Sequence, residues 1–183
     1  MKLTLIRGPV SYPVSLEQAK DYCRIEDDDS DVLIRQFMRL AVEHCENVTG
    51  RRFLSQQWRL DLDAFEREIK LPYPNLISVD SIEYYDTQNT LQTLSTDYYD
   101  VSGVGEIGKI TEKNGYYFPS TYLKPEAVQI GFTCGYADVE KVPECVKSAI
   151  NTVIWNLYTS RGGDMDAKLV EHLLGPVIMR GFV

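Results

Sequence analysis

Apolar residues recur with a helical period at both ends of the chain and with a strand period in the middle. Near the N-terminus, Leu16, Ala19, Tyr22 and Cys23 form one apolar stripe. The preceding Ser15, followed three positions later by Gln18, matches a capping box, so a helix is predicted to begin there.

A second helix is predicted from about Asp31 to Thr49, with Gly50 as the residue that ends it. Its apolar face is too wide for a helix with a single neighbour, so the pattern predicts packing partners on two sides. That face comprises Leu33, Ile34, Phe37, Met38, Leu40, Ala41, Cys45 and Val48.

The period changes to two between Phe53 and Ala137, where about seven short strands are predicted in addition to a short strand at Leu3–Ile6. Links rich in Gly and Asn favour an antiparallel sheet or small barrel, and a hairpin is predicted around the turn 86–89. The run from Gly103 to Gly108 resembles a nucleotide-binding glycine fingerprint, but it opens no helix and is interpreted as a turn. In the longest strand the residues predicted to point inward are Ile77, Val79, Ile82 and Tyr84.

Helical spacing returns at Pro143 and runs to about Ser160, and a short helix is predicted over 164–174, where Gly175 and Pro176 stop it. Because neither terminal helix pair can bury its apolar face alone, the predicted fold is α+β, a discontinuous four-helix bundle with an inserted antiparallel β subdomain. The predicted boundaries are 1–52 and 138–176 for the helical body, 53–137 for the β subdomain and 177–183 for an apolar tail. Phe37→Ala and Ile154→Ala are each expected to lower stability by about 2–5 kcal/mol.

Composition and charge exclude several classes of protein. The 183 residues are 44% hydrophobic, enough for a core, and carry a net charge of −8 that disfavours sequence-independent binding of nucleic-acid phosphates. No apolar run reaches the roughly 18 residues that a membrane helix needs. The four cysteines show no metal-ligand spacing, and Cys23 and Cys45 lie on apolar helix faces, which favours free thiols in a reducing compartment.

Candidate catalytic chemistry is sparse. His44 lies on the apolar side of its helix, and His172 has no evident carboxylate or nucleophile partner. The acidic run from Glu26 to Asp31 lacks the glycine and the terminal carboxylate of a calcium loop, so it is interpreted as a helix-capping segment. No catalytic residue, cofactor site or metal site is predicted, and the sequence indicates a structural or binding protein. Dispersed carboxylates of an unrecognised hydrolase stay a weaker alternative.

Two surfaces nevertheless indicate binding. Opposite the apolar face of the Pro143 helix, the side chains are uncharged and include a tryptophan, which is typical of an interface core. We expect the apolar tail to be mobile, or to lie on a neighbour, in the unassembled protein. The predicted subunit interface comprises Ser148, Thr152, Trp155 and Asn156, and the predicted binding tail comprises Val177, Ile178, Met179, Phe182 and Val183.

The segments VSLEQAK…RIEDDDSD…AVEHCENVTGR (14–51) and GYAD…VPECVKSAI…LYTSR (135–161) resemble the head–tail connector, or portal adaptor, proteins of tailed phages. The strands between them resemble the longer members of that family, found in prophages and gene transfer agents. Gly162 and Gly163 depart from the pattern, because a more helical continuation is typical there.

The resemblance implies a virion protein that assembles in the host cytoplasm into a ring of roughly a dozen copies under the portal protein. Such a ring extends the DNA channel without recognising sequence, offers a docking site to head-completion or tail-terminator proteins, and grips the portal with its C-terminal segment, while the isolated chain can be monomeric. Truncation after Gly175 should then weaken portal binding and hardly change the thermal melt. The alternative function is a carbohydrate- or receptor-binding module of a phage tail, built on the tyrosine-rich strands.

Overall fold

Among the residues that the structure describes, α-helices and strands follow one another in four blocks: one strand, two helices, seven strands and two helices. The computed structural model describes residues 1–160 and 167–179. Within these ranges lie four α-helices, α1 (Leu16–Cys23), α2 (Asp31–Thr49), α3 (Glu144–Ser160) and α4 (Ala167–Leu174), together with a short 3-10 helix, Val139–Lys141. The same ranges hold eight strands: β1 (Lys2–Arg7), β2 (Gln56–Leu62), β3 (Glu68–Lys70), β4 (Leu76–Tyr85), β5 (Leu91–Thr93), β6 (Tyr99–Ser102), β7 (Lys109–Glu112) and β8 (Val128–Cys134).

Local signals fix the ends of the first two helices. The Ser15 hydroxyl accepts a hydrogen bond from the Gln18 N–H at 3.1 Å, and the Gln18 amide oxygen accepts one from the Ser15 N–H at 2.9 Å, so the predicted capping box is confirmed. Helix α1 ends at Arg24, which adopts φ 54°. Helix α2 ends at Gly50 with φ 68°, the left-handed conformation that glycine adopts at little steric cost.

The strands form two antiparallel sheets within one compact unit, the β unit, which comprises Met1–Pro9 and Ser55–Tyr136. A five-stranded sheet has the order β1-β2-β8-β4-β5, and a three-stranded sheet has the order β3-β7-β6. Apolar side chains of both sheets pack into one core, which includes Leu60, Ile110 and Phe132.

Two irregularities in β4 decide which of its side chains enter this core. Its register against β8 shifts once after Leu76 and again after Val79. Each extra residue changes the side that the following side chains face. Val79 and Ile82 therefore both reach the core, whereas Ile77, predicted to point inward, is 38% exposed, and Leu76 is buried instead.

The polar side of β2 also differs from simple alternation. Asp61 is buried, and its carboxylate lies 2.9 Å from Nε of Arg59 on the same side of the strand. Alternation by itself would place both side chains in water. Their ion pair compensates for removing the carboxylate from water.

The helical unit comprises Val10–Leu54 together with the described residues from Ala137 onward. Helix α3 contacts α1, α2 and α4, and α2 also contacts α1 and α4. The buried side chains lie on the faces that the helical period selects, and they include Ile34, Met38, Ala41 and Cys45 of α2, Val146, Ile150 and Ile154 of α3, and Val170 and Leu174 of α4.

None of the helices in the described part of the chain has the length and apolar character that a membrane span requires.

The observed architecture is mixed α+β, with four helices and two antiparallel sheets in the part of the chain that the structure describes. The finer description, a discontinuous four-helix bundle, stays a prediction. One boundary differs from the prediction: Met1–Pro9 belong to the β unit, because β1 pairs with β2 rather than accompanying the helices that follow it in sequence. The predicted start of the last helix at Asp164, and Gly162 and Gly163, lie outside the described residues.

Candidate assembly surfaces

Three of the four residues predicted as a subunit interface reach the surface of α3. Ser148 is exposed, Trp155 is 39% exposed and Asn156 is half-buried. Thr152 is different. Its side chain is buried, its hydroxyl donates to the Ser148 carbonyl at 2.9 Å, and it lies 3.3 Å from the Tyr22 hydroxyl of α1.

Thr152 therefore belongs to the contact between α1 and α3 and is unavailable to a partner. The helical wheel of α3 places two further residues beside Trp155. All residues from Ser148 to Ser160 are uncharged, so this side of the helix carries no charge beyond its first turn, where Glu144 is exposed. We define the α3 outer face as Ser148, Asn151, Trp155, Asn156 and Thr159.

The α3 outer face holds two polar atoms that the rest of the described chain leaves unpaired. Oδ1 of Asn151 and Nδ2 of Asn156 are buried, and neither has a hydrogen-bond partner among the described residues. Asn151 also lines a groove of about 440 Å³ beside α1 and α3, together with Gln18 and Tyr22. Burying an amide atom without a partner is unfavourable.

A second uncharged surface lies on α2, where the sequence pattern predicts core. Leu33 is 42% exposed and Leu40 is 51% exposed. With the neighbouring positions on the helical wheel they occupy about 100° of the circumference, and none of these side chains is a carboxylate, lysine or arginine. We define the α2 outer stripe as Leu33, Gln36, Phe37, Leu40, His44 and Asn47.

In the sequence, the signal for this stripe was the apolar face of α2, which is too wide to be covered by a single neighbour. Packing against the other helices covers Ile34, Met38 and Cys45, and leaves the adjacent side of the helix in water. Because Phe37 is only half-buried, its replacement by alanine should lower the stability of the single chain less than the predicted 2–5 kcal/mol. Part of the predicted core face is therefore a candidate contact surface.

The first part of the predicted tail lies on its own helical unit. The backbone N–H of Met179 donates to the Thr49 carbonyl at 3.1 Å, and Nε of Arg51 donates to the Val177 carbonyl at 2.6 Å. Val177 is buried, and Ile178 and Met179 are half-buried. Residues 177–179 are therefore held by their own chain, which differs from the expected mobile tail. Phe182 and Val183 lie outside the described residues.

A lysine of the same chain pairs with the carboxylates of the acidic turn between α1 and α2. Nζ of Lys20 lies 2.6 Å from Asp28 and 2.8 Å from Asp31. The hydrogen bonds that Nζ of Lys20 donates to these carboxylates raise the pKa of Lys20, and the same lysine lowers the pKa of Asp28. Among the described residues, no cluster of His, Cys, Asp or Glu has the arrangement of a metal site.

Several aromatic side chains of the β unit are exposed. Tyr98 and Tyr116 form an edge-to-face pair with ring centroids 5.3 Å apart, and Tyr117 is 76% exposed. Further along the same loop, Tyr122 is 42% exposed and Leu123 is fully exposed. The sequence predicts tyrosine-rich strands, but the exposed tyrosines of this unit lie in loops.

A depression on the five-stranded sheet bears on the hydrolase alternative. Its lining includes Arg59, Asp80 and Glu83. The Asp80 carboxylate accepts hydrogen bonds from the hydroxyls of Ser78 at 2.6 Å and Thr133 at 2.8 Å. These bonds hold the carboxylate in place and indicate a structural role for Asp80.

All four cysteines carry free thiols, as predicted for Cys23 and Cys45. Burial raises the pKa of the Cys23 thiol, and burial together with the nearby Glu46 raises the pKa of the Cys45 thiol to about 12. A high pKa suppresses the nucleophilic thiolate. Both thiols therefore act as small apolar side chains of the core.

Comparison with known proteins gives a fold match over the whole chain. No protein-family profile matches the sequence, and no curated protein does. A chain in the solved neck of an empty gene transfer agent (GTA) particle, computed with C6 symmetry, is 18% identical, with a TM-score of 0.84. A chain in the virion of a native GTA particle is also 18% identical, with a TM-score of 0.81.

A third chain, in the neck of a native GTA particle computed with C12 symmetry, is 19% identical and has a TM-score of 0.77. Each comparison covers 100% of the present chain and 98% of the other. At this level of identity the likeness shows the fold. The chain therefore has the fold of proteins in GTA neck and virion structures.

Proposed function

We propose that this chain is a structural head–tail connector, or adaptor, of a tailed phage, prophage or gene transfer agent. In this role it forms a ring under the portal protein, extends the DNA channel and provides the docking site for the tail. The observation that carries the proposal is the fold match, which covers the residues of both the helical and the β unit. It agrees with the resemblance of residues 14–51 and 135–161 to head–tail connectors.

The necks that contain the similar chains were solved with C6 and C12 symmetry, which supports a ring of this chain in the virion. A ring needs faces that neighbouring copies cover. The α3 outer face has the composition of such a contact, because its side chains are uncharged and include Trp155. Ser148, Trp155 and Asn156 are the predicted interface residues that this proposal retains.

The net charge of −8 agrees with a role as a channel through which DNA passes. Acidic walls repel DNA phosphates, so DNA passes without sequence recognition and without being held. The proposed role is structural and needs no catalytic residue, cofactor or metal. Its partners are the portal protein, other copies of the chain, and head-completion or tail-terminator proteins, with assembly in the host cytoplasm and a final place in the virion.

The C-terminal segment, 177–183, is the proposed grip on the portal. In the single chain Val177 is buried and its carbonyl accepts a bond from Arg51. Gripping with residues 177–179 would require them to leave Thr49 and Arg51, while Phe182 and Val183 complete the apolar set. Repeated around a ring, even a weak contact per copy would give firm attachment by avidity.

The test of the proposed function uses the purified full-length chain and the portal protein from the same genome. We expect electron microscopy to show a ring of this chain seated on the portal. The Trp155→Glu variant should remain folded and fail to form that ring, whereas Leu169→Glu on α4, at a position that is 44% exposed, should assemble normally. A chain that neither self-associates nor binds the portal at any concentration would refute the proposal.

The exposed aromatic residues of the β unit favour a second candidate, a carbohydrate- or receptor-binding module. Tyr116, Tyr117 and Tyr122 could stack on sugar rings. A saturable change in intrinsic fluorescence on adding host-surface polysaccharide, lost in Tyr117→Ala, would support it. No such change, together with ring formation, would support the connector alone.

A further inference from the structure

We propose that the α2 outer stripe is the docking surface for the α3 outer face of a second copy of this chain, so that each subunit uses two different faces in a head-to-tail ring. The inference rests on the proposed function, because it concerns how the ring is built. The sequence pattern predicts an interface on α3 alone and places the apolar residues of the α2 outer stripe in the core.

Symmetry requires a second face. When one patch contacts the same patch of another copy, the contact closes as a dimer, whereas a larger cyclic ring repeats a contact between two different patches. The α3 outer face can supply one of them. Another surface of the same chain must supply the other.

The exposed sides of all four helices carry charged side chains outside these two faces. Helix α1 exposes Glu17 and Asp21, α2 exposes Arg35, Arg39 and Glu43, α3 exposes Glu144, and α4 exposes Lys168 and Glu171. The α2 outer stripe and the α3 outer face carry no carboxylate, lysine or arginine. Two such faces can meet without removing a permanent charge from water.

The two faces also match in length. The stripe runs from Leu33 to Asn47, about 21 Å along the helix axis, and the α3 outer face runs from Ser148 to Thr159, about 17 Å. Both are therefore about three to four helical turns long. They can lie along each other as a helix pair, with the exposed leucines of one copy against Trp155 of the next.

Accessible polar groups complement each other as well. On the α3 outer face, Ser148 and Thr159 are exposed and carry hydroxyls. The stripe contains Gln36, His44 and Asn47, which together offer donors and acceptors beside its apolar side chains. A second copy can therefore pair these groups while covering the exposed leucines. The C6 and C12 symmetry of the necks that contain similar chains favours a second copy over an unrelated partner.

The experiment mixes two variants that each lack one face. Leu40→Glu places a charge in the stripe, and Trp155→Glu places one in the α3 outer face. Both positions are substantially exposed, 51% and 39%, so the folded subunit should tolerate the change, which far-UV circular dichroism checks. Val32→Glu is the matched control, because Val32 is 72% exposed on α2 and lies outside the stripe.

Sedimentation is measured at concentrations, or with portal protein, at which the wild-type chain forms rings. We expect each Glu variant alone to be monomeric and the control to form rings. An equimolar mixture of Leu40→Glu and Trp155→Glu should give a one-to-one dimer and nothing larger, because only one intact pair of faces remains. Cross-linking gives a second readout: Gln36→Cys mixed with Ser148→Cys, both in a Cys145→Ser background, should yield mainly the mixed pair with a short bismaleimide linker.

Rings formed normally by Leu40→Glu would overturn the inference and leave the proposed function standing. A mixture that stays monomeric while the wild type forms rings would also overturn it, as would cross-links mainly between two Ser148→Cys chains. If the wild-type chain forms no ring at any concentration, alone or on the portal, the proposed function and the inference both fail.

Discussion

Replacing Ile154 by alanine tests whether α3 is the centre of the helical unit. Ile154 is fully buried, and α3 contacts each of the other three helices. Leu40→Ala is the matched control, because leucine and isoleucine have the same number of carbon atoms and Leu40 is 51% exposed on α2. The two substitutions therefore remove the same number of atoms from different surroundings.

The expected magnitudes follow from burial. Each variant loses three carbon atoms, and burying them from water is worth about 0.8 kcal/mol per carbon, or about 2.4 kcal/mol in all. At Ile154 a cavity adds to this loss, so the total should fall in the range of about 2–5 kcal/mol. At Leu40 roughly half of the transfer free energy applies and no cavity forms, so the expected loss is about 1 kcal/mol.

Urea denaturation measures both losses as differences in the free energy of unfolding. One tryptophan lies in each unit, Trp58 in the β unit and Trp155 on α3, so fluorescence should be compared with far-UV circular dichroism to detect separate unfolding of the units. The protein must be kept dilute, so that Leu40 is not covered by another copy.

Equal losses in the two variants, or a loss below about 1 kcal/mol for Ile154→Ala, would refute the packing on which the prediction rests. A large loss at Leu40 that depends on protein concentration would instead indicate that a second copy covers the α2 outer stripe. The two results are distinguished by repeating the denaturation at a roughly tenfold lower concentration.

Three further predictions depend on single features of the structure. In the native protein a thiol reagent should modify the half-buried Cys145 well before Cys45, because burial raises the pKa of Cys45 to about 12 and shields its sulfur. Asp86 should stabilise the turn before β5 above pH about 4 and lose that effect in acid. The reason is that hydrogen bonds to its carboxylate, of which the one from the Thr90 backbone N–H has the largest effect, lower its pKa below 3.8. Truncation after Gly175 should lower the thermal midpoint by several degrees, at about 2–4 °C per kcal/mol, since it removes the buried Val177. This replaces the expectation from the sequence that the thermal melt would hardly change.

Each of these three has a control and a contrary outcome. Full denaturation should make all four thiols react, and modification of native Cys45 as fast as Cys145 would contradict the burial. For Asp86, a folded pKa below the unfolded one means that stability is present above the unfolded pKa and is lost as pH falls through the folded pKa. The stability difference between wild type and Asp86→Asn should therefore shrink on acidification, and a constant difference would contradict it. An unchanged midpoint after truncation would show that residues 177–179 do not stay on Thr49 and Arg51.

Local pattern was enough to predict the kinds of elements and many of their ends. The Ser15 capping box, the stop at Gly50 and the turn from Asp86 to Thr90 depend on neighbours within a few residues, so the sequence carries them directly. The fold class, α+β with helices at both ends and antiparallel strands between them, follows from the change of period.

The candidate site was only partly predicted. Trp155 was predicted because a tryptophan among small polar residues is unusual on an outer helix face, and it is exposed, while its role as an interface residue stays a prediction. Thr152 looked equivalent to it by spacing, but its position against Tyr22 depends on where α1 packs. The stripe containing Leu33 and Leu40 was assigned to the core, since periodicity shows that a face is apolar and does not show whether a neighbour covers it.

By itself the sequence determined where helices and strands form, because periodicity, caps and turns act between residues close together in the chain. The tertiary structure decided the rest: that β1 joins β2, that bulges in β4 turn Ile77 outward, and that the chain from Val177 to Met179 returns to Thr49 and Arg51. These outcomes depend on contacts between residues far apart in sequence. Several such pairings can satisfy the same apolar pattern, and only the packed structure selects one of them.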